Sequence, residues 1–191
     1  MTKKRLDQLL KKDITFPFDE NFASTIKQQV DHNIKVELND MLHELDARLL
    51  SHVKENSIPC LGFCRGLQIM NVFNGGSLHP HLPDTLSNIH RGPDGATSHP
   101  IQVTKHINRL NLEIGSINDI VSHHHQGINE LGANLDVWAV APDGLYEGIR
   151  HSDTTTYPFY VGVQWHPERC TPGNEFDESI GKSFINAIIS K

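Results

Sequence analysis

Apolar and polar positions follow two different patterns along this chain, and the pattern changes near residue 57. Before it, apolar residues recur at helical spacing from Leu42 to Val53, which predicts a helix that ends near ENSIP. The short stretch NIKVEL (33–38) alternates as a strand does. Farther on, apolar runs such as IQVTK, LDVWAVAP and FYVGVQW are separated by glycine, proline and asparagine, which predicts strands and turns. The final segment, DESIGKSFINAIISK, has the apolar stripe of an amphipathic helix.

These segments together predict one α/β domain over residues 1–191, a length that can enclose a substantial core. The formal charge of −6 argues against binding to nucleic acid or to an anionic membrane, since either needs a basic surface. No apolar run is long enough to span a bilayer, and the N-terminus lacks the apolar core of a signal peptide. The three cysteines have no framework spacing, which favours free thiols and a cytoplasmic location.

The sequence LGFCRG places Cys64 between a predicted buried strand (58–63) and a predicted helix. Glycines two positions before and after it are typical of the sharp turn that exposes a nucleophile above a sheet. We expect the helix N-terminus to lower the pKa of the thiol, and the backbone N–H of Arg65 to serve as an oxyanion donor. On this motif alone, a buried core cysteine is an equally good interpretation. Cys60, which lies within the predicted strand, fits the role of a core cysteine better than Cys64 does.

A nucleophilic cysteine needs a base, and GVQWHPE provides a candidate in His166. Glu168 stands two residues later, so in an extended chain both side chains project to the same side. The carboxylate then binds one ring nitrogen and leaves the other to face the thiol. An isolated His-x-Glu pair is usually a solvated surface pair, but its occurrence with Cys64 favours a catalytic one.

The segments GFCRGLQIMNVFNGGSL, VSHHHQGI, DGLYEGI and GVQWHPE resemble the class I glutamine amidotransferases, and most closely their γ-glutamyl hydrolase branch, peptidase family C26. The resemblance runs from about Leu42 to the C-terminus. It implies a flavodoxin-like three-layer sandwich with a mostly parallel central sheet, and a catalytic triad of Cys64, His166 and Glu168. It also implies that a γ-glutamyl amide is cleaved through a thioester.

The same resemblance implies a set of substrate-binding residues. Gln68, one helical turn after the cysteine, matches a glutamine that contacts the glutamyl end of the substrate. The VSHHHQ segment matches a loop that holds the α-carboxylate and α-amino groups, and its candidates are Ser122, His123, His124, His125 and Gln126. Glu147 in DGLYEGI matches an acidic residue near the site, without an assigned role.

Three consecutive histidines raise the question of a metal site. The chain has 13 histidines, so some adjacency is expected, and consecutive side chains point in different directions. Zinc sites favour separated ligands that converge on a tetrahedron. We therefore expect no metal and no other cofactor.

The N-terminal part is atypical of the resembled family. Relatives begin with additional strand–helix units and a Gly-Gly loop that supplies a second oxyanion donor, whereas residues 1–57 contain no glycine. We therefore divide the domain into an atypical, shortened part (1–57) and a well-matched catalytic part (58–191), with some N-terminal strands lacking. The uncovered sheet edge predicts a second subunit or a partner chain.

Two classes of function follow from these features, an enzyme and a binding protein with little turnover. The complete triad favours a hydrolase that releases glutamate from a small γ-glutamyl compound resembling γ-glutamyl-γ-aminobutyrate. The alternatives are a glutaminase subunit that supplies ammonia to a synthase, and a truncated, low-activity relative that acts as a binding protein. The missing second oxyanion donor favours the last of these.

Overall fold

A computed structural model of the chain describes residues 32–107, 109–110 and 112–190. Contacts within the chain form two compact units, Met1–Glu44 and Leu45–Lys191. The single domain of 1–191 stays a prediction. Within the described part of the chain, no helix is both long and apolar enough to cross a membrane.

The described helices are α1 (His32–Glu55), α2 (Arg65–Phe73), α3 (Asp84–His90) and α4 (Glu175–Ile189), with a 3-10 helix at Pro167–Arg169. The strands are β1 (Cys60–Phe63), β2 (Ser77–His79), β3 (Thr97–Val103), β4 (Ile117–Ser122), β5 (Gly127–Glu130), β6 (Leu135–Val140), β7 (Tyr146–His151) and β8 (Tyr160–Val163). The predicted helices before ENSIP and at the C-terminus are confirmed.

Helix α1 differs from the sequence prediction in two respects. The NIKVEL segment, predicted as a strand, is helical, because it lies in a stretch without glycine or proline that continues directly into the predicted helix. Toward the helix C-terminus, Leu50 and Val53 are buried, whereas Leu45 and Leu49 are more than half exposed. The sequence predicts a buried stripe of Leu42, Leu45, Leu49 and Val53, and of these Val53 is buried whereas Leu45 and Leu49 are not.

The six-stranded sheet has the order β1-β8-β7-β6-β3-β4, and β2 pairs with β5 in a separate ribbon. Strands β1 and β8 are parallel, whereas the other neighbours in the large sheet are antiparallel. The expected mostly parallel sheet is thus parallel only at β1 and β8 in the described residues. Parallel neighbours need a long crossover, but β6, β7 and β8 follow one another through turns and a short loop.

Strand β8 separates two apolar clusters. Val161 and Val163 belong to the cluster that includes residues of α4, whereas Tyr160 belongs to the one that includes residues of α1 and α2. Helices therefore cover both faces of the sheet, as in the predicted three-layer sandwich. Strand β1 is an edge of the sheet in the described residues, and a partner at this edge stays a prediction.

Candidate functional site

Cys64 occupies a strained turn between β1 and α2. Its φ of 47° and ψ of −100° are unusual for a residue with a side chain, and such strain costs about 1–3 kcal/mol. The backbone holds this conformation from both sides: Cys64 N–H donates to Val163 O at 2.8 Å, and Gln68 N–H donates to Cys64 O at 3.2 Å. The predicted strand–turn–helix geometry is confirmed, but the strand is shorter than predicted and is not a buried one, since only Gly62 of β1 is buried and Phe63 is exposed.

The two glycines beside this turn differ in importance. A Cβ at Gly62 would lie 2.7 Å from Met70 Sδ and 2.8 Å from the backbone carbon of Gly66, so β1 approaches α2 too closely for a side chain. A Cβ at Gly66 would meet nothing within 4 Å. Both glycines are typical of the turn motif, but only Gly62 is needed to avoid a close contact.

We expect Gly62→Ala to destabilise the protein by about 1–3 kcal/mol, because the backbone of α2 cannot give way as a flexible side chain would. The matched control, Gly66→Ala, should raise stability by roughly 0.5–1 kcal/mol, because alanine favours a helix. Thermal unfolding of both variants measures the difference. Equal melting temperatures would contradict the close β1–α2 contact.

The electrostatic setting of the thiol differs from the sequence expectation. Burial raises the pKa of Cys64, and the negative charges of Glu147 and Glu168 raise it further. Hydrogen bonds from the Arg65 backbone N–H and the Gln164 amide lower the pKa but do not offset burial. The expected net lowering by the helix N-terminus is therefore wrong, and thiolate formation requires a base. For comparison, burial raises the pKa of Cys60 to about 11.

His166 and Glu168 form a close pair at the end of β8. His166 Nδ1 lies 2.7 Å from Glu168 Oε1, although the backbone there is a 3-10 turn rather than the predicted extended chain. His166 N–H donates to Val121 O at 2.9 Å, which fixes the histidine backbone to β4. Since β1 and β8 are adjacent and parallel, Cys64 and His166 follow strand ends at the same edge of the sheet.

Gln164 was not among the sequence candidates, yet it lies between several of them. This fully buried side chain directs Nε2 to Cys64 Sγ at 3.5 Å, and its Oε1 accepts from Gln68 Nε2 at 3.1 Å. Gln68 Nε2 also lies 3.1 Å from Gln126 O. The predicted substrate residue Gln68 therefore also links the cysteine region to the histidine loop. The sequence signal for Gln164 was its place in GVQWHPE.

The loop after β4 alternates between buried and outward side chains. Ser122 and His124 are buried, and Ser122 Oγ donates to His90 O at 2.8 Å. His123 is partly exposed, and its ring centroid lies 6.4 Å from that of His166. His125 is exposed. The geometry thus brings His123 to the candidate site, whereas Ser122 has a structural partner.

Two further contacts complete this region. Gln126 Nε2 donates to Pro80 O at 3.2 Å, which joins the histidine loop to the segment after β2. Glu147, predicted near the site, is fully buried on β7, and its backbone carbonyl accepts from Gln164 N–H at 2.8 Å. Its side chain is therefore behind the site rather than open to a substrate.

Comparison with protein families matches residues 21–168 to the family described as Peptidase C26. A Mycobacterium tuberculosis protein named "Putative glutamine amidotransferase" is 40% identical over 122 residues, which cover 63% of this chain and 39% of that protein. The gamma-glutamyl-gamma-aminobutyrate hydrolase of Escherichia coli K12 is 31% identical over 153 residues, which cover 75% of this chain and 59% of the enzyme. The chain thus spans between about two fifths and three fifths of the length of these two relatives.

Among solved structures, a glutamine amidotransferase from Thermotoga maritima superposes with a TM-score of 0.52 and 15% identity. The superposition covers 77% of this chain and 54% of the other chain. This likeness confirms the predicted α/β fold of the glutamine amidotransferase type.

Proposed function

The chain belongs to the peptidase C26 family, and we propose that it is a cysteine-dependent hydrolase of the γ-glutamyl amide bond. The observation that carries this proposal is the arrangement around two adjacent parallel strand ends. Strand β1 leads into the strained turn of Cys64. Strand β8 leads into the His166–Glu168 pair, whose Nδ1–Oε1 contact is 2.7 Å. A strained cysteine turn and an oriented imidazole at one sheet edge are what nucleophilic catalysis requires.

In the proposed reaction, His166 removes the proton from Cys64 Sγ, and the sulfur attacks the γ-carbonyl carbon of the substrate. The tetrahedral intermediate collapses as the C–N bond breaks, and His166 returns the proton to the departing amine. Water, deprotonated by His166, then cleaves the thioester and releases glutamate and the free thiol. Glu168 accepts from Nδ1 and so keeps Nε2 available for proton transfer.

The Arg65 backbone N–H is the proposed donor to the oxyanion, because it already bonds to the Cys64 side chain. Gln68, His123, His125 and Gln126 are the proposed contacts to the glutamyl group. Ser122 is the weakest of the predicted contacts, since its hydroxyl is committed to His90 O. The proposed substrate is a small compound resembling γ-glutamyl-γ-aminobutyrate, a choice supported by the name of the E. coli relative.

A second candidate function is glutamine hydrolysis for a synthase partner. The name of the M. tuberculosis relative favours it. The two functions share the thioester chemistry and differ in the leaving group, which is ammonia from glutamine and a larger amine from the hydrolase substrate. The choice between them therefore depends on which amide is cleaved faster.

The test is glutamate release from a panel of γ-glutamyl amides that includes γ-glutamyl-γ-aminobutyrate and glutamine. We expect a higher kcat/KM for the γ-glutamyl amine than for glutamine, with both activities lost in the Cys64→Ser variant. Faster cleavage of glutamine would favour the glutaminase function. Absence of glutamate release from every amide, by protein shown to be folded, would contradict both and favour a binding protein.

A further inference from the structure

Behind the candidate site, four buried side chains direct one nitrogen or oxygen atom each toward a common point. They are His90 at the end of α3, His99 on β3, His124 after β4 and Glu147 on β7. Their candidate ligand atoms all lie within 4.8 Å of one another. None of these residues is more than 4% exposed. Four separate segments of the chain therefore contribute to one closed cluster.

Three of the distances within the cluster are close to those between the ligands of a small tetrahedral ion. His90 Nδ1 lies 3.1 Å from His99 Nε2, and Glu147 Oε1 lies 3.2 Å from His90 Nδ1 and 3.3 Å from His124 Nε2. The contact between His99 Nε2 and Glu147 Oε1 is longer, at 3.9 Å. Ligands at zinc bond lengths of about 2.0–2.1 Å stand about 3.3–3.4 Å apart at the corners of a tetrahedron.

The outer nitrogen of each ring already has an acceptor. His90 Nε2 lies 2.8 Å from Asp143 Oδ2, His99 Nδ1 lies 3.0 Å from Pro100 O, and His124 Nδ1 lies 2.9 Å from Gln126 O. A carbonyl oxygen can only accept, so the rings of His99 and His124 carry a proton on Nδ1. When these two rings are neutral, their Nε2 atoms present lone pairs to the interior of the cluster. Metal-binding histidines are commonly oriented by such outer partners.

Of the inward atoms, His90 Nδ1 and His99 Nε2 lie within hydrogen-bond distance, so one proton held between them satisfies that pair when no cation is bound. Within the described part of the chain, no hydrogen bond of good geometry reaches His124 Nε2 or either carboxylate oxygen of Glu147, although His90 Nδ1 and His124 Nε2 lie 3.2 and 3.3 Å from Oε1. A buried carboxylate beside imidazole rings needs a positive charge, which either protons on the rings or a bound cation supplies. A cation with four ligands satisfies all of them at once.

We propose that His90, His99, His124 and Glu147 bind one zinc ion in a closed, structural site. Three imidazoles and one carboxylate are ligands that zinc accepts, and four protein ligands leave no position for a reacting water. From the sequence we expected no metal, because three consecutive histidines cannot all point at one ion. Here only the middle one contributes, and its partners come from distant segments.

The proposed ion would fix the loop that carries the candidate substrate contacts. His124 lies between His123 and His125, which are the outward residues of that loop. Holding His124 inward on the metal sets the alternation that leaves its two neighbours facing outward. The role of the ion is thus to position the loop, without contact with the substrate.

The first test measures metal binding by the unaltered protein. Protein freed of metal by a chelator, and shown by circular dichroism to be folded, is titrated with Zn²⁺ against a chromogenic competitor. We expect one equivalent to bind, and a saturating excess of about 100 times Kd to raise the melting temperature by roughly 5–10 °C. Co²⁺ in the same site should give the strong visible absorption of a tetrahedral complex. Folded protein that binds no stoichiometric Zn²⁺ would overturn the proposal, and shared protons would then stabilise the cluster.

The second test separates this site from the other histidines. Glu147→Gln and His99→Gln should each weaken Zn²⁺ binding by at least about 100-fold, since a lost ligand costs more than a lost outer partner. The control is His151→Asn, another buried histidine, which contacts Tyr157 and Tyr160 rather than the cluster. It should bind zinc as the unaltered protein does. Equal weakening in the control, or unchanged binding in both cluster variants, would overturn the assignment to these residues.

Discussion

Replacing His166 with alanine is expected to reduce glutamate release by roughly 10²–10⁴-fold, the usual contribution of a positioned acid–base group. The reason is the setting of the thiol. Burial and two nearby carboxylates raise the pKa of Cys64, so the proton must be transferred to a base before the sulfur can attack. His166 is the proposed base because Glu168 orients its ring at 2.7 Å.

Glu168→Gln should leave a larger residual rate than His166→Ala. The amide oxygen of glutamine still accepts from His166 Nδ1, while the lost charge no longer stabilises the imidazolium. The Glu168 side chain is 49% exposed, so solvent screens much of that charge. Steady-state kinetics of both variants, with melting temperatures to confirm folding, provide the comparison. A His166→Ala variant with an unchanged rate would mean that another group, such as a histidine of the loop after β4, is the base.

Replacing Cys64 with alanine is expected to lower kcat by at least about 10⁴-fold, because loss of the nucleophile in a catalytic triad removes nearly all of its contribution. The matched control is Cys60→Ala, four residues earlier on β1. Cys60 is a partly buried thiol whose pKa burial raises to about 11, so it stays protonated at neutral pH. Removing this thiol should lower the melting temperature and leave kcat nearly unchanged.

Glutamate release by the two cysteine variants at saturating substrate measures this difference. A Cys64→Ala protein that retains activity while Cys60→Ala loses it would transfer the nucleophilic role to Cys60. Loss of activity in both variants, with unchanged folding, would mean that the two thiols act together.

The sequence predicted the turn at Cys64 well, because its signals are local. An apolar run, a glycine and a helical pattern in succession describe both the strand and the helix. Gly62 shows why: a side chain at this position would collide with Met70 and Gly66, which are only a few residues away in the sequence. The His166–Glu168 contact was also predicted correctly, although through an extended backbone that the chain does not adopt.

The features that the sequence did not predict depend on long-range contacts. The direction of neighbouring strands follows from the connections between them, and the apolar pattern of a strand carries no direction. Gln164 reads as one polar residue in an apolar strand, and its role appears only when β1 and β8 bring Cys64 beside it. The four-residue cluster combines positions from 90 to 147, which no local motif joins.

The measurement that tests the central claim most directly is covalent labelling by a glutamine analogue whose γ-amide is replaced by a diazoketone. Such a compound carries the glutamyl group into the site and alkylates the thiol that attacks its carbonyl region. Mass spectrometry of the digested protein should find one label per chain, on Cys64, and an excess of a γ-glutamyl amide should prevent it. Labelling of Cys60 or Cys170 in place of Cys64, or folded protein that remains unlabelled, would contradict a Cys64-dependent γ-glutamyl hydrolase.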